Sequence, residues 1–180
     1  MALTVTKLFL FSLLVSSAVL TAKSELLTSK PEKLTRFRVY VQDKIAGSNA
    51  TVAMVAQAAT TNQSAASFGL VTVFDDPLTV GPERSSKNVG MVQGMTAFAS
   101  QSEVALSMSM NFVFTKGKYN RSSLTVVGRN VLSLKVREMP IVGGTGLFRL
   151  AWGYVETSTY SLDLKNGVAV LVYDFSVYHY

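Results

Sequence analysis

A chain of 180 residues that starts with an apolar leader is the size of a single domain. Its 17 Lys+Arg against 11 Asp+Glu give a net charge of +6, mildly basic and nowhere dense enough for nucleic-acid recognition. No cysteine occurs and the only histidine is His179, beside the C-terminus, so zinc, copper and haem sites lack ligands and disulfides cannot brace the fold.

Near its start the chain carries Lys7, then "LFLFSLLVSSAVL", then the small-residue stretch "TAKS", the three-part pattern of a secretory signal peptide. The run is shorter than the roughly 20 apolar residues a membrane helix needs, and nothing later approaches that length. The expected organisation is a leader over residues 1–24 and a mature domain over 25–180, secreted to the apoplast or extracellular space, with neither nucleic acid nor membrane as partner. A cut after Ser24 removes Lys7 and Lys23 and no acid, leaving a net charge of +4.

Beyond residue 34 nearly every segment alternates with the period of 2 that marks strands, and none sustains a capped helical period. Eight strands are predicted: about 35–43, 51–60, 68–74, 89–99, 104–115, 122–128, 147–160 and 168–179. In "VALSMSMNFVFTKG", Val104, Leu106, Met108, Met110, Phe112 and Phe114 take one face and Ser107, Ser109 and Asn111 the other. Eight evenly spaced strands with mostly hairpin-sized links favour an antiparallel up-and-down barrel over a two-sheet sandwich. Strands such as "TVAMVAQAA" and "GVAVLVYDF" are apolar on both faces, so a second subunit is expected to cover the outer one. Asn49 in "NAT", Asn62 in "NQS" and Asn120 in "NRS" are N-glycosylation sequons, each in a predicted turn.

The stretch "MPIVGGTGLFRLAWGY" looks at first like a phosphate loop. A dinucleotide fingerprint fails because Arg149 stands where its third glycine belongs, and a P-loop fails because no Gly-Lys-Ser/Thr follows. The glycines therefore read as the corner of a sheet. Serine hydrolysis would need His179 as base and a Gly-x-Ser-x-Gly elbow, which is absent from the sequence. Carboxylates remain. Asp43 ends the first strand with the parity of Phe37, Val39 and Val41; it is either a desolvated acid able to donate a proton or anchor a phenol, or a turn-starting residue bonded to the "KIAG" backbone. In "VFDDPLT", Asp75 shares the parity of Val71 and Val73, and Asp76, before Pro77, reads as a turn residue. Trp152 shares parity with Phe148, Leu150 and Tyr154 and serves packing or recognition, while Arg149 alternates with it and either pairs with a carboxylate across a barrel or lies on a solvated face.

Five blocks in order, "VYVQDKIAGSNAT", "FGLVTVFDDPLT", "VGMVQGMTAFAS", "MNFVFTKGKYNRSSLTVVGRN" and "VREMPIVGGTGLFRLAWGY", behind a leader and before a Tyr-His-Tyr tail, resemble the plant dirigent proteins along nearly the whole mature chain. The resemblance implies an all-β fold, an eight-stranded antiparallel barrel related to allene oxide cyclase, assembled as homotrimers. It implies a cavity for phenolic radicals of monolignol type that a separate laccase or peroxidase generates, no cofactor of its own, and roles in phenylpropanoid and lignan biosynthesis or plant defence. Asp43 matches the family's pocket aspartate and Asp75 the aspartate of the "FDDPLT" block. Tyr40, Thr96, Phe98, Thr145, Leu147, Arg149 and Trp152 complete the implied pocket, with the GGTG turn leading the chain into a strand beside it. Members that form pinoresinol commonly have Asp at the position of Leu147, Arg at that of Trp152 and tyrosines at those of Thr96 and Phe98, which points to another branch with a different phenolic substrate.

Three functional readings follow from the resemblance. One is a stereo-directing protein that couples phenoxy radicals. Another is a ring-closing lyase working through a quinone methide or isoflavonoid-type phenol, which a second carboxylate facing Asp43, with Asp75 as candidate, would favour. The third is a non-catalytic cell-wall or defence protein.

Overall fold

The computed structural model describes residues 31–180; the predicted leader lies outside the described residues. The elements are β1 (Lys33–Lys44), β2 (Val52–Ala56), β3 (Val71–Thr79), β4 (Asn88–Phe98), β5 (Ala105–Phe114), β6 (Ser122–Val131), β7 (Arg137–Thr145), β8 (Trp152–Asp163) and β9 (Val168–His179), with single turns of 3₁₀ helix and no α-helix among the described residues. The hydrogen-bonded order is β1-β9-β8-β7-β6-β5-β4-β3-β2, and a further β1–β3 pairing closes it into a ring of eight antiparallel strands. Closure removes the edges of the eight ring strands, and only the short β2 ends the sheet.

The ninth strand, β2, is short because it shares one side of β3 with β1. It pairs with Val71–Phe74, whereas β1 reaches only Leu78 and Thr79. Pro77 falls in the interval between these two partners, where a missing N–H breaks no ladder. The predicted turn at Asp76–Pro77 is therefore replaced by a strand that runs on to Thr79. A second difference is β7, where the sequence predicts a sheet corner and no strand: Arg137, Met139 and Ile141 alternate inward, but Pro140 and two glycines mask the pattern. Gly146, at φ +63, then turns the chain through a short 3₁₀ segment that drops Phe148 fully into the interior, so the corner lies after Thr145 and β8 begins at Trp152.

The two ends of the barrel differ. At the end where β1 starts and β7 finishes, Phe37, Phe114, Tyr119, Phe148 and Phe175 pack with ring centroids 4.7–6.1 Å apart and plug the interior. Each such pair adds about 0.5–1.5 kcal/mol beyond the area it buries. The alternation on β5 holds, with Leu106, Met108, Met110, Phe112 and Phe114 inside. At the other end, where β1 finishes and β7 starts, the side chains stop short of filling the barrel.

Candidate functional site

That unfilled end holds a cavity of about 350 Å³, the size of a small aromatic ligand. Its wall is mostly aliphatic, with Ile45, Leu132 and Leu162 at 44–53% exposure forming the rim.

Asp43 reaches the cavity because Val39, Val41 and Asp43 alternate inward along β1. Val41 lies opposite Leu78 on β3, the last pair before the two strands part; beyond it, toward the open end, stand Asp43 on β1 and Asp76 on β3. The register thus brings two carboxyl groups together on one wall. Asp76 is buried, and the Thr51 hydroxyl donates a hydrogen bond to its Oδ1. Burial pushes Asp76 up to about 7, partly offset by Thr51 and reinforced by the negative charges of Asp43 and Asp75. Burial likewise raises Asp43 to about 6 against the opposing pull of the Arg84 guanidinium, and its Oδ1 is buried without a hydrogen-bond partner. Between these two values Asp43 is ionised while Asp76 keeps its proton, so the wall offers one base and one acid.

The opposite wall is of opposite character. In the ring of eight, β7 lies four strands from β3 and β6 four strands from β1, so Arg137 and Asn130 face the carboxyl pair across the cavity. Arg137 is only 4% exposed; its Nε donates to the Thr157 carbonyl at 3.4 Å and its Nη2 to Thr159 Oγ1 at 3.2 Å. Burial lowers its pKa, but a guanidinium stays charged in a protein. Asn130 Nδ2 donates to Met108 Sδ at 3.1 Å and leaves its buried Oδ1 unpaired. Tyr173 lies between, its hydroxyl pushed up to about 12 by burial and donating to Met110 Sδ at 3.7 Å. Buried polar atoms without partners cost about 1–3 kcal/mol each, a cost that a polar ligand would relieve.

Of the residues singled out in the sequence, Asp43, Thr96 and Phe98 line the cavity. Asp75 does not. It is exposed on the outer face and accepts a hydrogen bond from Gln93 Nε2 at 3.1 Å; Thr72, Phe74 and Asp76 are the inward residues of β3, and Val73 is 40% exposed. Tyr40 is also on the outer face, edge-on to exposed Tyr160 at 5.8 Å. Thr145, Leu147, Arg149 and Trp152 are exposed at the plugged end, away from the cavity; Trp152 stacks on Tyr178 with centroids 4.3 Å apart. The GGTG turn belongs to that end and not to the pocket. His179 is there too, with Nε2 2.9 Å from Thr35 Oγ1. Asn49, Asn62 and Asn120 are all solvent-exposed.

Asp76, Arg137, Asn130 and Tyr173 went unnoticed as site residues. Parity could have found three of them: Arg137 alternates with Met139 and Ile141, Asn130 with Leu124 and Val126, Tyr173 with Phe175 and Val177.

A closed antiparallel barrel plugged at one end, with acids and a guanidinium facing each other in an apolar chamber at the other, has the form of a small-molecule binding or catalytic barrel. Residues 34–178 match the family described as Dirigent-like protein. The chain is 48% identical over 150 residues to dirigent protein 21 of Arabidopsis thaliana, covering 83% of this chain and 79% of that one. It is 41% identical over 172 residues to pterocarpan synthase 1 of Glycine max, covering 95% and 92%. Among solved structures it is similar to a pterocarpan synthase dirigent protein at 41% identity and TM-score 0.76, covering 84% of this chain and 98% of that one. The chain belongs to the dirigent family.

Proposed function

We propose that this dirigent protein closes a ring on a phenolic substrate by way of a quinone methide, using Asp43 and Asp76 as an acid–base pair. The observation that carries the reading is the second carboxyl on the cavity wall, close enough to Asp43 for the charge of one to act on the other. The similarity to proteins named pterocarpan synthase supports it.

The substrate is a phenol, of isoflavonoid type, bearing a benzylic hydroxyl and a second phenolic hydroxyl. The protonated carboxyl donates to the benzylic oxygen, the C–O bond breaks and water leaves, while the conjugated phenol gives its proton to the ionised carboxyl. Arg137, on the far wall, supplies a fixed positive charge that offsets the negative charge developing on the substrate as the phenolic proton leaves. The second phenolic hydroxyl then adds to the benzylic carbon, its proton is taken up by the pair, and the first phenolic oxygen is reprotonated. One water is lost overall and no oxidant is consumed. Facial selection needs little: a 99:1 ratio corresponds to about 2.7 kcal/mol.

The protein acts after secretion, as a homotrimer. Val73, Met95 and Val127, 40–47% exposed on register-linked strands, supply the outer apolar belt that a neighbouring subunit covers.

The test is to incubate the purified protein with such a phenol and resolve the cyclised product by chiral chromatography. Ring closure at the buffer rate, together with stereoselective coupling of monolignols once a laccase or peroxidase is added, would replace this reading with the radical-guiding one.

A further inference from the structure

Thr51 sits between β1 and β2, outside the cavity lining, yet it ties together the strands that carry both acids. Its N–H donates to the Lys44 carbonyl at 2.9 Å and its carbonyl accepts from the Asp75 N–H at 2.9 Å. Its hydroxyl accepts from the Lys44 N–H at 3.0 Å and donates to Asp76 Oδ1. A threonine hydroxyl has a single hydrogen. The competing acceptor, the Lys44 carbonyl, is 3.5 Å away, at the limit of a hydrogen bond. With Lys44 engaging a lone pair, that hydrogen is aimed at Asp76. One carboxyl of the pair therefore has a fixed donor on Oδ1, while Asp43 Oδ1 has none.

We propose that Thr51 is a positioning residue for the carboxyl pair: it orients Asp76, directs any proton on that carboxyl to Oδ2, and keeps Asp76 able to ionise beside Asp43. The catalytic meaning of this rests on the ring-closing reading; the bond and its effect on Asp76 do not. The other charged or titratable groups around Asp76 are Asp43 on β1, Asp75 on its own strand and Tyr173 on β9, with Arg84 acting on Asp43 and Arg137, across the cavity, on Tyr173. β2 and β4 contribute no ionisable side chain. Thr51 is also the third residue of the Asn49 sequon, so the hydroxyl serves both the sequon and the carboxyl pair.

The experiment is a carboxyl-carbon NMR titration of the wild type, Thr51→Val, Thr51→Ser and Asn49→Gln, with pH–rate profiles beside it. Thr51→Val removes the donor at similar volume. It should raise the apparent pKa of Asp76 by about one unit, a tenfold gain in proton affinity, and move the alkaline limb of the rate profile to higher pH. Thr51→Ser, which keeps the donor, and Asn49→Gln, which removes only the glycan acceptor, should titrate like wild type. Superimposable curves for Thr51→Val and wild type would overturn the proposal, as would a shift of equal size in Asn49→Gln. Should Thr51→Val fail to fold, Thr51→Ala carries the same comparison. Full ring closure by Asp76→Asn would sink the ring-closing reading while the titration still judged Thr51; an inactive Asp76→Asn with an unshifted Thr51→Val would sink Thr51 alone.

Discussion

The two ends of the barrel are built from the same strands and do opposite things. At the plugged end the inward positions of β1, β5 and β9 are aromatic and pack ring on ring. Toward the open end the inward positions of the same strands are one acid, Asp43, with aliphatics, methionines and Tyr173, and buried oxygens of Asp43 and Asn130 lack partners. Stability is concentrated at one end, and polar groups held at a cost are concentrated at the other. Substitutions should therefore divide by end: those at the plug should cost stability and spare selectivity, and those at the open end should cost activity and, for the acids, add stability.

The largest effect is expected at the acids. Asp43→Asn or Asp76→Asn removes one member of the acid–base pair at constant shape, and ring closure should fall by about 10²–10⁴, the usual worth of general acid–base catalysis. The wild-type pH–rate profile should be a bell between about 6 and 7, the values to which burial raises the two carboxyls. Below that window both are protonated and no base remains; above it both are ionised and no acid remains. Unchanged rates for both variants, with intact circular dichroism spectra, would refute the pair.

At the other end, Phe148→Ala empties the centre of the plug. Phe148 has no exposed surface and contacts Phe37, Phe114, Tyr119 and His179. Its loss should cost about 3–5 kcal/mol in chemical denaturation while the enantiomeric excess stays at the wild-type value. A change in product ratio with little loss of stability would erase the contrast between the ends.

The third expectation inverts the usual outcome of altering a buried residue. The folded-state value of Asp76, about 7, lies above the ordinary value of 3.8, so its protonated form favours folding. The stability it lends is fully present below pH 4 and is lost as pH rises through 7. Asp76→Asn, which stays neutral, should thus match wild type near pH 4 and exceed it by about 2–4 kcal/mol at pH 8, measured as the difference between denaturation curves at the two pH values. A variant less stable at pH 8 would mean that the ionised carboxylate is better satisfied than its single bond from Thr51 implies.

The plugged end was the more legible in the sequence. Alternation of large apolar residues along β5 and β9 reads directly as one buried face, and Asp43 followed from the same parity on β1. What escaped had two physical causes. On β3, Val71 and Val73 face outward and Thr72 and Phe74 inward, so a strand apolar on both faces has no parity that sequence alone can choose. Pro77 then argued for a turn, because nothing local reveals an interval between two partner strands. On β7, Pro140, Gly143 and Gly144 dilute the alternation that would have carried Arg137 inside. The exposed positions of Leu147, Arg149 and Trp152 depend on which end of the barrel the GGTG corner occupies, and that is set by strand order, not by local pattern.

The smallest expected effect bears on the sharpest contrast, that between two adjacent acids on opposite faces of one strand. Asp75 is exposed and bonded to Gln93, yet its negative charge helps to raise Asp76. Removing that charge with Asp75→Asn should let Asp76 ionise slightly more easily, so the alkaline limb should move to lower pH, the direction opposite to Thr51→Val. Two unit charges on the order of 8 Å apart in a water-like medium interact by about 0.5 kcal/mol before screening, which sets the shift at about 0.3 unit. Raising the salt to about 0.5 M should shrink it, since the path between the charges runs partly through solvent. The maximal rate should hardly change. Were Asp75 instead the acid of the cavity, Asp75→Asn would cost the same 10²–10⁴ expected of Asp76→Asn and salt would not restore it. A pair of rate profiles at two salt concentrations therefore decides which face of β3 carries the chemistry.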